Sequence, residues 1–185
     1  MKINDRTDIS KKFFDGFERT KNIEYVIVHG TAGGDTLNFV YNTKLESDLG
    51  KGYQKGIGLF HFLIEPSGKI YQIMDTDVWC HHASCGKEDM KTIGIELQNP
   101  DSHNAKPYTE EQYQSLLELF EYLKEKYPTI DKFVSHNRMK EKFSKGTKEC
   151  PGKGFDWKGW AERMSAQYVF ERNLEKQSMW DIKSY

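Results

Sequence analysis

The sequence lacks any apolar run long enough to cross a bilayer. A spanning helix needs roughly 20 consecutive apolar residues, and no stretch of this 185-residue chain approaches that length. Residues 1–20 are polar and charged, without an apolar central region or a small-residue cleavage site. We therefore expect no secretory signal, synthesis in the cytoplasm and no membrane insertion.

An excess of charge of either sign is also missing. The chain has 27 basic and 28 acidic residues, which gives a formal net charge of -1. Such a balance provides no general attraction to a polyanion, so we expect no nucleic-acid partner. The hydrophobic content of 37% beside 30% charged residues is typical of a globular chain rather than a disordered one.

Cysteine is scarce, with Cys80, Cys85 and Cys150 the only three in the chain. An odd number allows one disulfide at most, and in a reducing compartment we expect free thiols. A cysteine near histidines is instead a candidate metal ligand or nucleophile.

What is present is an alternation of strands and helices, which predicts a single α/β domain over residues 1–185 with its core at about 20–165. The predicted strands are residues 24–29, 59–64, 69–74, 92–98 and 132–135. Helices are predicted at residues 37–49, at 110–127 behind an N-cap at Thr109, and after Asp156.

Two histidines and one cysteine lie where chemistry is expected. His29 and His136 each follow the apolar part of a predicted strand, and Cys150 lies in a loop containing proline and glycine. Two imidazoles and a thiolate are an ordinary zinc ligand set, and three protein ligands leave a position for water, as in catalytic sites. Spacing alone does not join the three, because each is more often a packed residue than a ligand.

Several short segments, in order, resemble the type 2 N-acetylmuramoyl-L-alanine amidases, a superfamily that includes AmpD-like enzymes, phage amidases and peptidoglycan recognition proteins. The resemblance runs from about Tyr25 to Trp160. The segments are residues 26–32 (VIVHGTA), 60–64 (FHFLI), 82–83 (HA), 93–97 (IGIEL), 135–136 (SH), 148–152 (KECPG) and 155–157 (FDW).

The resemblance implies a fold, a metal and roles for single residues. The fold is a central mixed β-sheet flanked by helices, with Zn²⁺ held by His29, His136 and Cys150. Glu96 corresponds to the acidic catalytic residue of AmpD-like enzymes and would transfer a proton. Lys148 would stabilise the oxyanion on the attacked carbonyl.

Two further residues are predicted to contact substrate. His81 and His82 could form a second metal pair, but adjacent residues rarely bind one ion, so we expect a loop at the edge of the groove in which His82 contacts substrate. Phe60 occupies the position at which phage amidases use a tyrosine, and we expect it to form an apolar wall. We expect the remaining candidates to be structural: His61 packed, His103 exposed, and Trp157 and Trp160 in the core.

The predicted function is zinc-dependent hydrolysis of the amide between N-acetylmuramic acid and L-alanine of peptidoglycan, by a monomer. Two settings remain open: an endolysin that reaches the cell wall after release, which we favour because of the cysteine ligand, or a cytosolic enzyme that recycles muropeptides. A non-catalytic peptidoglycan-binding module and a zinc peptidase for another amide are further alternatives.

Overall fold

The computed structural model describes residues 1–11, 17–34, 60–144 and 149–168. Its strands are β1 (Ile3–Asp5), β2 (Phe17–Glu18), β3 (Tyr25–Gly30), β4 (Phe62–Ile64), β5 (Ile70–Gln72), β6 (Val78–Trp79), β7 (Thr92–Leu97) and β8 (Lys132–Ser135). Its helices are α1 (Thr7–Lys11), a 3-10 helix (Gly86–Lys91), α2 (Glu110–Lys126), α3 (His136–Phe143) and α4 (Trp157–Tyr168).

A mixed six-stranded sheet in the order β1-β5-β4-β7-β3-β8 forms the centre of the fold. Strands β4, β7, β3 and β8 run parallel, whereas β5 is antiparallel to β4 and joins it through a turn. Gly68 takes a φ of 78° in that turn, a left-handed conformation that favours glycine. The predicted mixed sheet is therefore confirmed.

The central strand β3 is buried on both faces, and its alternate residues divide between two environments. Val26 and Val28 face the main core, where they pack with side chains of α2 and α4 such as Phe120 and Trp160. The opposite face carries Tyr25 and Ile27, which pack against Met139 of α3. Helices thus cover both faces of the sheet, as the resemblance implied, and His29 belongs to the α3 face because side chains alternate along a strand.

Helix α2 begins at a capping box, as the sequence predicts. The Thr109 side chain accepts from the Gln112 backbone N–H, and the Gln112 side chain accepts from the Thr109 backbone N–H. The Gln112 amide also donates to the carbonyls of Ile64 and Gln98. The cap therefore attaches the start of the helix to the ends of β4 and β7.

Some elements differ from the predictions. The strand predicted at residues 59–64 is shorter in the described part, because His61 precedes the ladder and Phe62 begins it. Helix α3 was not predicted, since its sequence HNRMKEKF offers only one large apolar side chain that becomes buried, Met139. The helix predicted at residues 37–49 lies outside the described residues. Within the described ranges, no helix combines the length and apolar character needed to span a membrane.

Candidate metal centre

The three predicted ligands meet at one edge of the sheet. His29 lies at the end of β3, and His136 follows β8 directly as the first residue of α3. Strands β3 and β8 are parallel neighbours, with Val28 opposite Ser135, so their carboxyl ends coincide. The loop before α4 brings Cys150 to the same point. All three side chains are buried, and their ligand atoms lie within 4.8 Å of one another.

The atoms that face one another are nitrogen and sulfur. His29 Nδ1 lies 3.0 Å from His136 Nδ1 and 3.8 Å from Cys150 Sγ. The Gly30 N–H points at the same sulfur at 3.4 Å. A compact, buried set of two imidazole nitrogens and one thiol sulfur matches the donor preference of zinc, and this chemistry fits the predicted metal.

Hydrogen bonds to the backbone join the elements that carry the predicted ligands. The Ser135 hydroxyl caps α3 by accepting from the Arg138 N–H, which fixes the turn on which His136 lies. The next residue, Asn137, donates its N–H to the Cys150 carbonyl at 3.2 Å. The second histidine and the cysteine are therefore held at a set separation by the main chain.

Glu96 is the neighbour of His29 across the sheet. The two residues are register partners on the parallel strands β3 and β7, and Glu96 is half-buried. Because adjacent strands lie about 4.8 Å apart and register partners share a face, the Glu96 side chain emerges beside His29. This placement is compatible with the proton-transfer role predicted for Glu96.

His82 lies behind His29, on the side away from the cluster. Its Nδ1 is 3.0 Å from His29 Nε2, and its Nε2 is 2.7 Å from the Thr92 hydroxyl. Burial lowers the pKa of His82 well below its ordinary value. Both ring nitrogens therefore have protein partners. The ring lies behind His29, whereas the prediction was a loop at the edge of the groove. Its contact with substrate stays a prediction.

Phe60 is buried with 4% exposure, in a small apolar cluster with Leu63, Tyr71 and Ile73. Leu63 is the register partner of Glu96 on the other side of β7. The cluster thus lies on the side of Glu96 away from His29, and the predicted substrate contact of Phe60 stays a prediction. Lys148 lies outside the described residues, although Glu149 and Cys150 are described.

The structural interpretation of His61 is confirmed. Its ring is fully buried, its Nδ1 accepts from the Gly94 N–H, and its Nε2 lies 3.4 Å from the Arg19 guanidinium. Burial, with the nearby Arg19 charge, lowers the pKa of His61 to about 3. The ring nitrogens of His61 contact Gly94, Val78 and Arg19 rather than the cluster of His29, His136 and Cys150, so His61 is a packing residue.

The Arg19 side chain is a half-buried cation that sequence reasoning missed. Its guanidinium donates to the backbone carbonyls of Thr76, Val78, Met90 and Thr92. Burial lowers the pKa of Arg19 to about 10. The residue joins the segment before β3 to β6 and to the start of β7, and no local sequence signal marks it.

The other predictions for single residues hold. Cys80, Cys85 and Cys150 form no disulfide, and His103 is exposed. Trp160 is 1% exposed within the main core, with Trp157 packed against that core. The contacts of Thr92 and Gly94 behind His29 were not foreseen, although alternation along β7 places both residues on the same face as Glu96.

The profile of the N-acetylmuramoyl-L-alanine amidase family matches residues 19–153, a span that contains every predicted ligand. The mixed sheet with flanking helices and the buried cluster of two histidines and one cysteine agree with membership of this family. The chain belongs to the N-acetylmuramoyl-L-alanine amidase family.

Among curated relatives, the 1,6-anhydro-N-acetylmuramyl-L-alanine amidase AmpD of Haemophilus influenzae is 29% identical over 173 residues, covering 84% of this chain and 90% of the relative. Among solved structures, the N-acetylmuramoyl-L-alanine amidase LysC of Clostridium intestinale has a TM-score of 0.63 at 21% identity, covering 89% of this chain and 98% of that one. A mutant of Drosophila PGRP-LB in complex with tracheal cytotoxin has a TM-score of 0.61 at 22% identity, covering 92% and 96% of the two chains.

Proposed function

We propose that this protein is a zinc-dependent N-acetylmuramoyl-L-alanine amidase, which hydrolyses the amide between N-acetylmuramic acid and the L-alanine of a peptidoglycan stem peptide. The observation that carries the proposal is the convergence of His29, His136 and Cys150 in a chain of this family. Bound there, zinc supplies a Lewis acid for the scissile carbonyl and lowers the pKa of water.

The protein's own residues would orient the substrate and move the proton. Glu96, beside His29 in the register, takes a proton from the attacking water and delivers it to the departing nitrogen of L-alanine. Lys148 is proposed to hold the developing oxyanion. Phe60 is proposed as an apolar wall of the substrate groove, on the far side of Glu96 from His29.

The relatives suggest two settings for this activity. We propose an endolysin that acts on the intact wall, in keeping with the cysteine ligand and with a structural neighbour described as an endolysin amidase from Clostridium intestinale. A recycling amidase for soluble muropeptides is the second candidate. It is favoured by the Haemophilus influenzae relative, whose name specifies a 1,6-anhydro-N-acetylmuramyl substrate.

The first experiment tests metal-dependent cleavage. Purified protein is treated with a chelator, dialysed, reloaded with zinc and incubated with defined muropeptides, and the cut bond is mapped by mass spectrometry. We expect one zinc per chain, loss of cleavage in the chelated protein and recovery on reloading. Zinc-loaded protein that binds muropeptide without cutting it would instead identify a binding module. Cleavage of a different amide would identify a peptidase.

Glu96→Gln is the matched variant for the proton-transfer role. It preserves the shape of the side chain and removes its basicity, so we expect kcat to fall on the order of 100- to 10,000-fold while the zinc content is unchanged. Wild-type turnover in Glu96→Gln would contradict the assignment. Comparing intact sacculi with soluble anhydromuropeptides as substrates then separates the endolysin from the recycling enzyme.

A further inference from the structure

We propose that His82 and Thr92 are positioning residues, which hold His29 in the tautomer that presents its Nδ1 lone pair to the metal. The proposal rests on the zinc site proposed above. It concerns the side of His29 that faces away from the ligand cluster.

A chain of hydrogen bonds leads from His29 into the protein. His29 Nε2 lies 3.0 Å from His82 Nδ1, and His82 Nε2 lies 2.7 Å from Thr92 Oγ1. The Thr92 hydroxyl lies 2.8 Å from the backbone carbonyl of Asp89. Each of these distances is that of a well-formed hydrogen bond.

The Asp89 carbonyl, the last group in this series of hydrogen bonds, determines which atom donates in each of the others. A backbone carbonyl only accepts, so the single hydroxyl hydrogen of Thr92 is donated to Asp89. The Thr92 oxygen must then accept from His82 Nε2–H. An imidazole whose single hydrogen lies on Nε2 has an acceptor at Nδ1, so His82 Nδ1 accepts from His29 Nε2–H. The proton of His29 is thereby placed on Nε2, and Nδ1 is left with its lone pair.

The second histidine ligand is oriented from the same segment. His136 Nε2 lies 3.1 Å from the carbonyl oxygen of Ala83, the residue that follows His82. Because a carbonyl can only accept, this nitrogen carries the hydrogen, and the lone pair of His136 lies on Nδ1, the nitrogen that faces His29. Histidines that bind metals generally donate their other N–H to such a partner, which fixes the ring and raises its basicity.

Packing confines His82 to this position. A Cβ on Gly94 would lie 2.6 Å from His82 Nδ1, so the ring occupies the space that a side chain on β7 would fill. Thr92, two residues earlier on the same face, is fully buried. The ring is thus held between Thr92 and His29, and it reaches His29 at Nε2, the nitrogen opposite the one that faces Cys150.

The test uses two pairs of variants and measures zinc affinity by competition with a chromophoric chelator. Thr92→Val removes the hydroxyl at nearly constant volume, and Thr92→Ser restores it. His82→Leu removes the acceptor, and His82→Asn returns an acceptor near the position of Nδ1. Loss of a residue that supports a metal ligand typically weakens binding about 10- to 100-fold. We expect that loss in Thr92→Val and His82→Leu, and recovery to within about threefold of wild type in Thr92→Ser.

A spectrum of the cobalt-substituted protein provides a second readout, because its visible bands respond to the coordination of the metal. Thr92→Val and His82→Leu should shift these bands, and Thr92→Ser should not. Thr76→Val is the matched control: Thr76 is also buried, but its hydroxyl bonds Tyr127 and Lys126 rather than the site. It should leave zinc affinity and spectrum unchanged.

The outcomes separate the two proposals. Wild-type protein that binds no zinc would overturn the proposed function itself. Wild-type protein that binds zinc, together with folded Thr92→Val and His82→Leu variants of unchanged affinity and spectrum, would overturn only the positioning role. If Thr92→Val does not fold, the His82 pair decides the question, since both of its members remove the same ring. An equal loss of affinity in Thr76→Val would mean that general destabilisation, rather than positioning, causes the effect.

Discussion

Gly94→Ala is the substitution that tests the arrangement behind His29 most directly. A Cβ at this position would lie 2.6 Å from His82 Nδ1, 2.7 Å from Cγ and 2.9 Å from Cε1. Real Cβ atoms do not approach other heavy atoms this closely, so the ring or the strand must move. The methyl group therefore acts on His82 and, through it, on His29.

The size of the effect follows from the type of contact. Forcing an extra methyl into a packed interior costs about 1–3 kcal/mol. For a domain of this size that corresponds to a fall in the melting temperature of roughly 2–12 °C. A displaced His82 ring also lengthens its 3.0 Å contact with His29. We therefore expect zinc affinity to fall about 10- to 100-fold as well.

The assay is a double-mutant cycle on chelator-treated protein, with unfolding followed in denaturant. In a His82→Ala background the added methyl has space, so Gly94→Ala should cost little there. We expect the double variant to be more stable than the sum of the single effects implies, by about 0.5–3 kcal/mol. Strict additivity would refute the reasoning, because it would show that the alanine does not act through the ring.

Three further predictions concern other parts of the site and its support. Arg19→Met should lower the free energy of unfolding by about 3 kcal/mol or more in denaturant melts, because it leaves four backbone carbonyls without the charged donor. A variant as stable as the wild type would show that Arg19 does not hold these segments together. Burial raises the pKa of Asp89 from 3.8 to about 6, so the native state retains a proton that the unfolded chain has released, and stability relative to Asp89→Asn should fall as the pH rises through that interval. If the difference in unfolding free energy between the wild type and Asp89→Asn did not change with pH, the raised pKa of Asp89 would be refuted. Cys150→Ala should weaken zinc binding by on the order of 100-fold or more, whereas Cys150→Asp should retain it, as measured by chelator competition; equal losses in both would contradict a ligand role.

The parts of the fold that follow local rules could be predicted from the sequence. The apolar run of β3, the turn between β4 and β5, and the capping box of α2 each carry their signal within a few residues. Strands β1, β2 and β6 have two or three residues each, and their existence depends on distant pairing partners. A run so short has no periodicity to detect.

The candidate site likewise has some residues that could be predicted from the sequence and others that could not. The order of the family motifs connects His29, His136 and Cys150, and their donor atoms lie together in the structure. The role of His82 was not foreseen, because it depends on a hydroxyl and a carbonyl that the chain brings to the ring only by folding. Hydrogen bonds between separate segments leave no pattern in a single sequence.

The distribution of the three proposed ligands along the chain would link metal binding to the folding of the whole domain. His29 is separated from His136 by 107 positions and from Cys150 by 121. An unfolded chain would have to close loops of that length before the three atoms could meet, which costs conformational entropy. Zinc should therefore bind the native state almost exclusively, and at 1,000 times its Kd it would add about 4 kcal/mol to global stability. On the proposed zinc dependence, a cell short of zinc would contain a protein that is less active and also easier to degrade.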